Sequence, residues 1–193
     1  MVIVLDLDGT VVDNTEYFRT TSCKVLQETG ITHRDGRSVD ELTGEETWKL
    51  VKAVGLYDYV SRLMGSEYVW KPLMPGATEF VQKAISLGHT IHVVTARAKS
   101  YMGSQEILET FLFVSRVLKI NGSCLVACRD KTPMLKYLAC DWFIDDNIAQ
   151  VDAAVDAGFK TIQMQSPDSR EKRTTKCSIC SDFYQISSII LGD

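Results

Sequence analysis

The sequence predicts an α/β protein with a Rossmann-like parallel sheet and a small helical insertion after the first strand. Short apolar segments rich in β-branched residues alternate with helical patterns along most of the chain, as in parallel sheets with helical crossovers. Between Asn14 and Pro72 this alternation stops, and helical patterns follow one another without a strand pattern. This stretch is too long for a connecting loop, so we expect a separate helical cap.

Length and composition narrow the class of protein. A chain of 193 residues with 45% hydrophobic residues suits one core with a modest insertion. The net charge of −4 disfavours a stable nucleic-acid complex. We find no apolar run long enough for a membrane span and no signal peptide. The six cysteines therefore indicate reduced thiols and a cytoplasmic protein. Oligomeric state stays open, with a homodimer as one option.

The chain begins with a buried strand that ends in two acids. The run from Val2 to Leu5 is apolar, and Asp6 and Asp8 follow it at alternate positions. Side chains alternate along a strand, so both carboxylates can reach one site. Gly9 lets the backbone turn sharply there. Ligands of open α/β sheets bind at the carboxyl ends of strands, where these acids stand.

The predicted cap contains three helical patterns. Tyr17, Phe18, Val25 and Leu26 mark the first, Trp48 and Val51 the second, and Tyr57 and Val60 the third, while residues 31–46 are predicted as a loop or short turns. Five aromatic residues are candidates for stacking on a nucleic-acid base, with burial in the cap as the alternative. They are Trp48, Tyr57, Tyr59, Tyr68 and Trp70.

The second half resumes the β/α alternation and places polar residues after three further strands. Thr95, Ala96 and Arg97 follow the strand at 90–94, Lys131 follows the strand at 125–127, and Asp145 and Asp146 follow the strand at 141–144. Thr132 is predicted to cap the helix that follows Lys131, with Pro133 in its first turn. Thr161 and Ile162 start the last predicted strand, and residues 166–180 are predicted to be a flexible polar segment. Within it, Cys177 and Cys180 resemble half a zinc site without a second half.

The ordered set of motifs resembles the haloacid dehalogenase (HAD) superfamily of phosphotransferases. Asp6-x-Asp8-Gly9-Thr10, Thr95, Lys131 and Asp145-Asp146 are similar to its motifs I to IV and lie in the same order. The second half also resembles the 5'(3')-deoxyribonucleotidases, through Pro75-Gly76-Ala77 and Arg129-Asp130-Lys131-Thr132 leading to Ile144-Asp145-Asp146. Thr10 and Ala96-Arg97 depart from that family's pattern, and the cap matches it poorly. The resemblance implies an HAD-like phosphatase core at 1–13 and 76–193, with a helical cap at 14–75.

The resemblance and the residue chemistry imply a Mg²⁺-dependent phosphomonoester hydrolase acting through an aspartyl-phosphate. Asp6 is the predicted nucleophile and Asp8 the general acid and base. Lys131 offsets the charge of the acids and of the substrate phosphate. The predicted Mg²⁺ ligands are Asp6, the Asp8 carbonyl and Asp146, with Asp145 orienting them or Lys131; the roles of the last two acids are interchangeable at this stage.

Thr95, Ala96, Arg97 and Lys131 are the predicted phosphate-binding residues, and the predicted substrate is a deoxynucleoside 5'-monophosphate. For Arg97 a surface ion pair is equally compatible with the sequence. Phosphoglycolate, a sugar phosphate or a polynucleotide 3'-phosphate would fit the same motifs. A phosphotransferase or mutase, and a binding domain without turnover, are the alternatives from other functional classes.

Overall fold

The computed structural model describes residues 1–65, 72–96, 104–121, 124–165 and 174–192, and it confirms the predicted fold class. The strands are β1 (Val2–Leu5), β2 (Thr90–Thr95), β3 (Leu125–Ala127), β4 (Trp142–Asp145), β5 (Lys160–Met164) and β6 (Ser178–Cys180). The helices are α1 (Thr15–Glu28), α2 (Gly44–Ala53), α3 (Tyr57–Gly65), α4 (Ala77–Ser86), α5 (Ser104–Arg116), α6 (Lys131–Tyr137), α7 (Ile148–Asp156) and α8 (Phe183–Ile190), with a short 3-10 helix at Val39–Glu41.

The six strands form one sheet in the order β3-β2-β1-β4-β5-β6, and every neighbouring pair is parallel. Strand β1 lies inside the sheet between β2 and β4. Its register places Leu5 opposite Val93 and Ile144, so β1 and β4 end at nearly the same level. The backbone N–H of Asp6 donates to the carbonyl of Ile144 at 2.9 Å and continues this pairing beyond β1. The acids that follow β1 and β4 are therefore held side by side.

Apolar clusters cover the two faces of the sheet. On one face α4, α5 and α8 bury a cluster that includes Phe80, Val114 and Phe183. On the other face Leu135 of α6 and Ala154 of α7 pack on Val4, Val94 and Phe143. Burial of these side chains is the main source of stability for such a layered fold. Helices thus cover both faces of the sheet, and the polar residues lie at the edge formed by the carboxyl ends of the strands.

Helices α1, α2 and α3, which follow β1, bury an apolar cluster of their own, which includes Phe18, Leu26, Val51 and Val60. Two connecting segments lead into and out of this region. They pair through bonds of 2.9 Å from the N–H of Asp13 to the carbonyl of Pro72 and from the N–H of Met74 to the carbonyl of Val11. The division into a core and a cap at 14–75 stays a prediction.

Two local predictions were wrong. Residues 31–46 were expected to form a loop or short turns, but α2 takes in the last three of them and begins at Gly44, because Thr43 accepts from the N–H of Glu46 and completes a capping box. Residues 166–180 were expected to be a flexible polar segment that follows the last strand. Residues 166–173 lie outside the described residues, but in the rest of this segment β6 pairs with β5, and Cys180 is buried against the sheet. This strand is too short for its alternation to stand out from its polar neighbours.

None of the helices within the described part of the chain combines the length and the apolar character that crossing a membrane requires.

Candidate active site

The site is built at the carboxyl edge of the sheet, where β1 and β4 end. The acidic cluster consists of Asp6, Asp145 and Asp146, and carboxylate oxygens of the three residues lie within 4.8 Å of one another. Asp6 and Asp145 are buried, at 6% and 0% exposure. Three carboxylates this close repel one another strongly when all are ionised, so the cluster needs a positive charge.

Lys131 supplies one such charge. Its ammonium contacts a carboxylate oxygen of Asp6 and lies 2.7 Å from Oδ2 of Asp145. The lysine is 3% exposed, so both pairs are shielded from water. The second oxygen of Asp145 accepts from the backbone N–H of Asn147 at 2.8 Å. Asp145 is therefore fixed at both oxygens, and it holds Lys131 against Asp6.

Burial sets the protonation of the acids. Loss of solvent raises the pKa of Asp6 to about 7, and repulsion from Asp145 and Asp8 adds to the shift that Lys131 opposes. Burial also raises the pKa of Asp146, and Asp145 and Asp6 push it further in the same direction. Lys131 pairs with Asp6 and Asp145 but not with Asp146. The cluster thus keeps a shortage of positive charge, most strongly at Asp146.

Gly9 makes room for Asp146. Its φ of +81° lies in the left-handed region, and a Cβ at this position would overlap the Asp146 carboxylate. The turn that glycine permits therefore brings the chain after β1 directly against the acid that follows β4. Any larger residue would have to displace that carboxylate.

Asp8 lies next to the acidic cluster and has a separate partner. The side-chain amide of Asn14 donates to Oδ1 of Asp8 at 2.9 Å. Asn14 is also the residue immediately before α1. The predicted acid and base is therefore tied to the start of the helical insertion, a contact that sequence reasoning missed.

The remaining predicted phosphate-binding residues are only partly described. Thr95 ends β2 and is 1% exposed, and its carbonyl accepts from the N–H of Cys128 at 2.9 Å. Ala96 follows it with partial exposure. Arg97, Tyr68 and Trp70 lie outside the described residues, so their predicted roles stay predictions.

The start of α6 corrects another expectation. Thr132 was predicted to cap this helix, but Asp130 is the N-cap and its side chain accepts from the N–H of Thr132 at 3.3 Å. An aspartate suits this position as well as threonine does. Lys131 is consequently the first residue of α6, one position further into the helix than its predicted place at the mouth.

Comparisons with known proteins bear on the fold. No protein-family model and no curated protein sequence matches the chain. Solved structures do match, and one is an HAD family hydrolase from Deinococcus radiodurans with bound phosphate and sodium. It is 13% identical with a TM-score of 0.63, and the alignment covers 99% of this chain and 95% of that one. The chain has the haloacid dehalogenase fold.

Two further structures with this fold come from proteins with more specific names. A putative phosphoglycolate phosphatase from Lactobacillus delbrueckii is 14% identical with a TM-score of 0.62, and the alignment covers 100% of this chain and 98% of that one. CbbY from Rhodobacter sphaeroides in complex with phosphate is 15% identical with a TM-score of 0.57, covering 96% and 95%. At these identities the likeness is one of fold.

Proposed function

We propose that this protein is a Mg²⁺-dependent phosphomonoester hydrolase that acts through an aspartyl-phosphate on Asp6. The observation that carries the proposal is the acidic cluster, in which Asp6 and Asp145 are buried and Lys131 is bound between these two acids. Buried charges at this density are costly to a fold, and such clusters concentrate at functional sites. The HAD fold, shared with hydrolases that bind phosphate, supports the same conclusion.

The chemistry assigned to the residues has two displacements. In the first, an Asp6 oxygen forms a bond to phosphorus while the ester P–O bond breaks, and Asp8 gives its proton to the departing alkoxide. In the second, water loses a proton to Asp8 and attacks the same phosphorus, which frees phosphate and restores Asp6. Lys131, already against Asp6, offsets the negative charge on the phosphoryl oxygens in both steps.

The acidic cluster fits a hard divalent cation. Its ligand atoms are oxygens only, and Lys131 forms its ion pairs with Asp6 and Asp145 rather than with Asp146, a combination that suits Mg²⁺. Asp6, the Asp8 carbonyl and Asp146 would hold the ion. Asp145 is assigned the role of orienting Lys131 without binding the ion directly, because both of its oxygens are already engaged with Lys131 and Asn147. When bound, Mg²⁺ would supply positive charge to the phosphate and to the acids.

The proposed substrate is a deoxynucleoside 5'-monophosphate, supported by the sequence resemblance at Arg129-Asp130-Lys131-Thr132. A small phosphate ester such as phosphoglycolate or a sugar phosphate is the second candidate. It is favoured by the likeness in fold to a putative phosphoglycolate phosphatase and by the mutual packing of two cap aromatics. Trp48 and Tyr57 contact each other edge to face with ring centroids 6.5 Å apart, so packing within the insertion already accounts for both. Tyr59, at 50% exposure, stays available to a base.

The test is phosphate release from a panel of esters in the presence of Mg²⁺. The panel contains dUMP, dTMP, phosphoglycolate, a hexose phosphate and an oligonucleotide with a 3'-phosphate. We expect the fastest release from the two nucleotides. Faster release from phosphoglycolate or the hexose phosphate would support the second candidate, and transfer to an added alcohol in place of water would indicate a phosphotransferase. An absence of release from every ester would refute the proposed function.

A further inference from the structure

The position of Lys131 is not explained by the sheet alone. Lys131 follows β3, whereas its partners Asp6 and Asp145 come from β1 and β4. In the sheet order β3-β2-β1-β4, β3 lies three places from β4. At the usual strand spacing this separation is about 14 Å. The chain after β3 must therefore cross the carboxyl edge and be held there.

Gln150 makes the contacts that hold the segment after β3 in this position. Its Oε1 accepts from the backbone N–H of Lys131 at 3.3 Å, and its Nε2 donates to the carbonyl of Arg129 at 3.1 Å. Both ends of one amide are thus bound to the backbone on either side of Asp130. Lys131 begins α6, and the first N–H groups of a helix have no partner within it. Gln150 supplies that partner from another helix.

The location of Gln150 gives this contact a function. It lies in the first turn of α7, four residues after Asp146, and α6 and α7 pack together. The segment that bears Lys131 is consequently tied to the segment that bears Asp145 and Asp146. Because a side chain is only as well placed as its backbone, the tie fixes the distance from the ammonium to the acidic cluster.

We propose that Gln150 is a positioning residue for Lys131, which it holds between Asp6 and Asp145 by binding the backbone of residues 129 and 131. The inference rests on the proposed function for its effect on turnover, and on the contacts alone for its effect on Lys131. Gln150→Leu keeps the size of the side chain and removes both hydrogen bonds. Gln82→Leu is the matched control, since Nε2 of Gln82 donates to the carbonyl of Leu118 at 2.7 Å. Leu118 precedes β3 in the chain, whereas the site lies beyond the carboxyl ends of the strands.

The first measurement does not depend on activity. The amine of Lys131 is buried, so reductive methylation followed by peptide mass spectrometry should label it slowly in the wild type. Gln150→Leu should increase the labelling rate of Lys131 several-fold, and Gln82→Leu should not. If Gln150→Leu folds and Lys131 stays as protected as in the wild type, the proposal is wrong. If Gln150→Leu does not fold, Gln150→Met, which also removes both hydrogen bonds but keeps an unbranched side chain, decides by the same criterion.

The second measurement separates positioning from a purely structural role. With p-nitrophenyl phosphate and Mg²⁺, Gln150→Leu should lower kcat by about 10- to 100-fold with little change in KM. In a Lys131→Met background, the same substitution should lower kcat no further, because the group that it positions is gone. Equal losses in both backgrounds would overturn the proposal. A wild type that releases no phosphate would refute the proposed function, while the labelling comparison would still decide the role of Gln150.

Discussion

Lys131 in the site and Arg37 on the insertion are each bound by two carboxylates. Lys131 pairs with Asp6 and Asp145, and the exposed fractions of the three side chains are 4%, 8% and 1%. Arg37 pairs with Asp35 and Glu46, and the corresponding fractions are 39%, 44% and 33%. Each trio joins one cation to two carboxylates, and the clearest difference between them is their exposure to solvent.

The pKa values of the carboxylates shift in opposite directions in the buried and the exposed trio. Burial raises the pKa of Asp6 to about 7 although Lys131 opposes the shift. At the surface, the hydrogen bond from Arg37 lowers the pKa of Glu46 to about 2. Desolvation outweighs attraction at Asp6 in the first trio, whereas hydrogen bonds outweigh desolvation in the second. In the buried trio of Lys131, Asp6 and Asp145, the ion pairs therefore do not compensate for the burial of the ionised acids. Such a site is expected to bind additional positive charge.

The largest expected effect is the loss of activity on metal removal. Lys131 offsets one negative charge of the acidic cluster, and the approaching phosphate adds more. A chelator should therefore reduce phosphate release to background, and added Mg²⁺ should restore it. Full turnover by protein shown by elemental analysis to be free of metal would contradict the assignment.

The two neighbouring acids provide a sharper test of the same site. Asp146→Ala should weaken Mg²⁺ binding, measured by calorimetry, more than Asp145→Ala does, because Asp145 is engaged with Lys131 and Asn147. Asp145→Ala should instead reduce kcat by freeing Lys131. The reverse ranking of Mg²⁺ affinities would exchange the roles assigned to the two acids.

The next prediction concerns stability without metal. The pKa of Asp6 is about 7 in the folded protein and about 4 in an unfolded chain, so between these values the folded state binds the proton more tightly. The contribution of Asp6 to the free energy of unfolding should therefore fall as pH rises from about 4 through 7. Asp6→Asn should remove this pH dependence of the free energy of unfolding, because asparagine does not titrate.

The measurement is thermal unfolding in chelator at pH 5 and pH 8. Asp6→Asn should gain Tm relative to the wild type at pH 8, by about 2–4 °C per kcal/mol for a chain of this size, and gain less at pH 5. Asp35→Asn at the surface should bring no gain, since Asp35 has a lowered pKa. A lower Tm for Asp6→Asn than for the wild type at pH 8 would show that the ionised trio stabilises the fold.

The smallest effect is expected at the surface trio of Arg37, Asp35 and Glu46. Exposed ion pairs contribute little, because water screens them and the long side chains lose freedom when they pair. Arg37→Ala should leave kcat unchanged and lower Tm only slightly, whereas Lys131→Ala should lower kcat by about 100-fold or more. A large loss of activity in Arg37→Ala would place the insertion network in the reaction and end the contrast between the two trios.

The fold class and the grouping of the acidic cluster with Lys131 could be predicted from the sequence because their signals are local. Each strand pattern is followed within a few residues by its polar group, and parallel strands carry those groups to one edge. The contact of Gln150 with residues 129 and 131, and that of Asn14 with Asp8, have no such signal, since an amide side chain at the start of a helix is an ordinary polar residue in the sequence. Strand β6 was missed because three residues do not establish a period.

The central claim is that Asp6 becomes phosphorylated and that Asp8 carries the proton, and Asp8→Asn tests both. A nitrophenolate leaves without protonation, so the first displacement should survive, while hydrolysis of the phosphoenzyme should slow by about 10²–10⁴-fold. Rapid mixing with p-nitrophenyl phosphate should give a burst of nitrophenol of at most one equivalent, and intact mass should show one added phosphoryl group. Asp6→Asn should give neither. Absence of a burst and of added mass in Asp8→Asn, with equal rate losses for nitrophenyl and alkyl esters, would contradict the account.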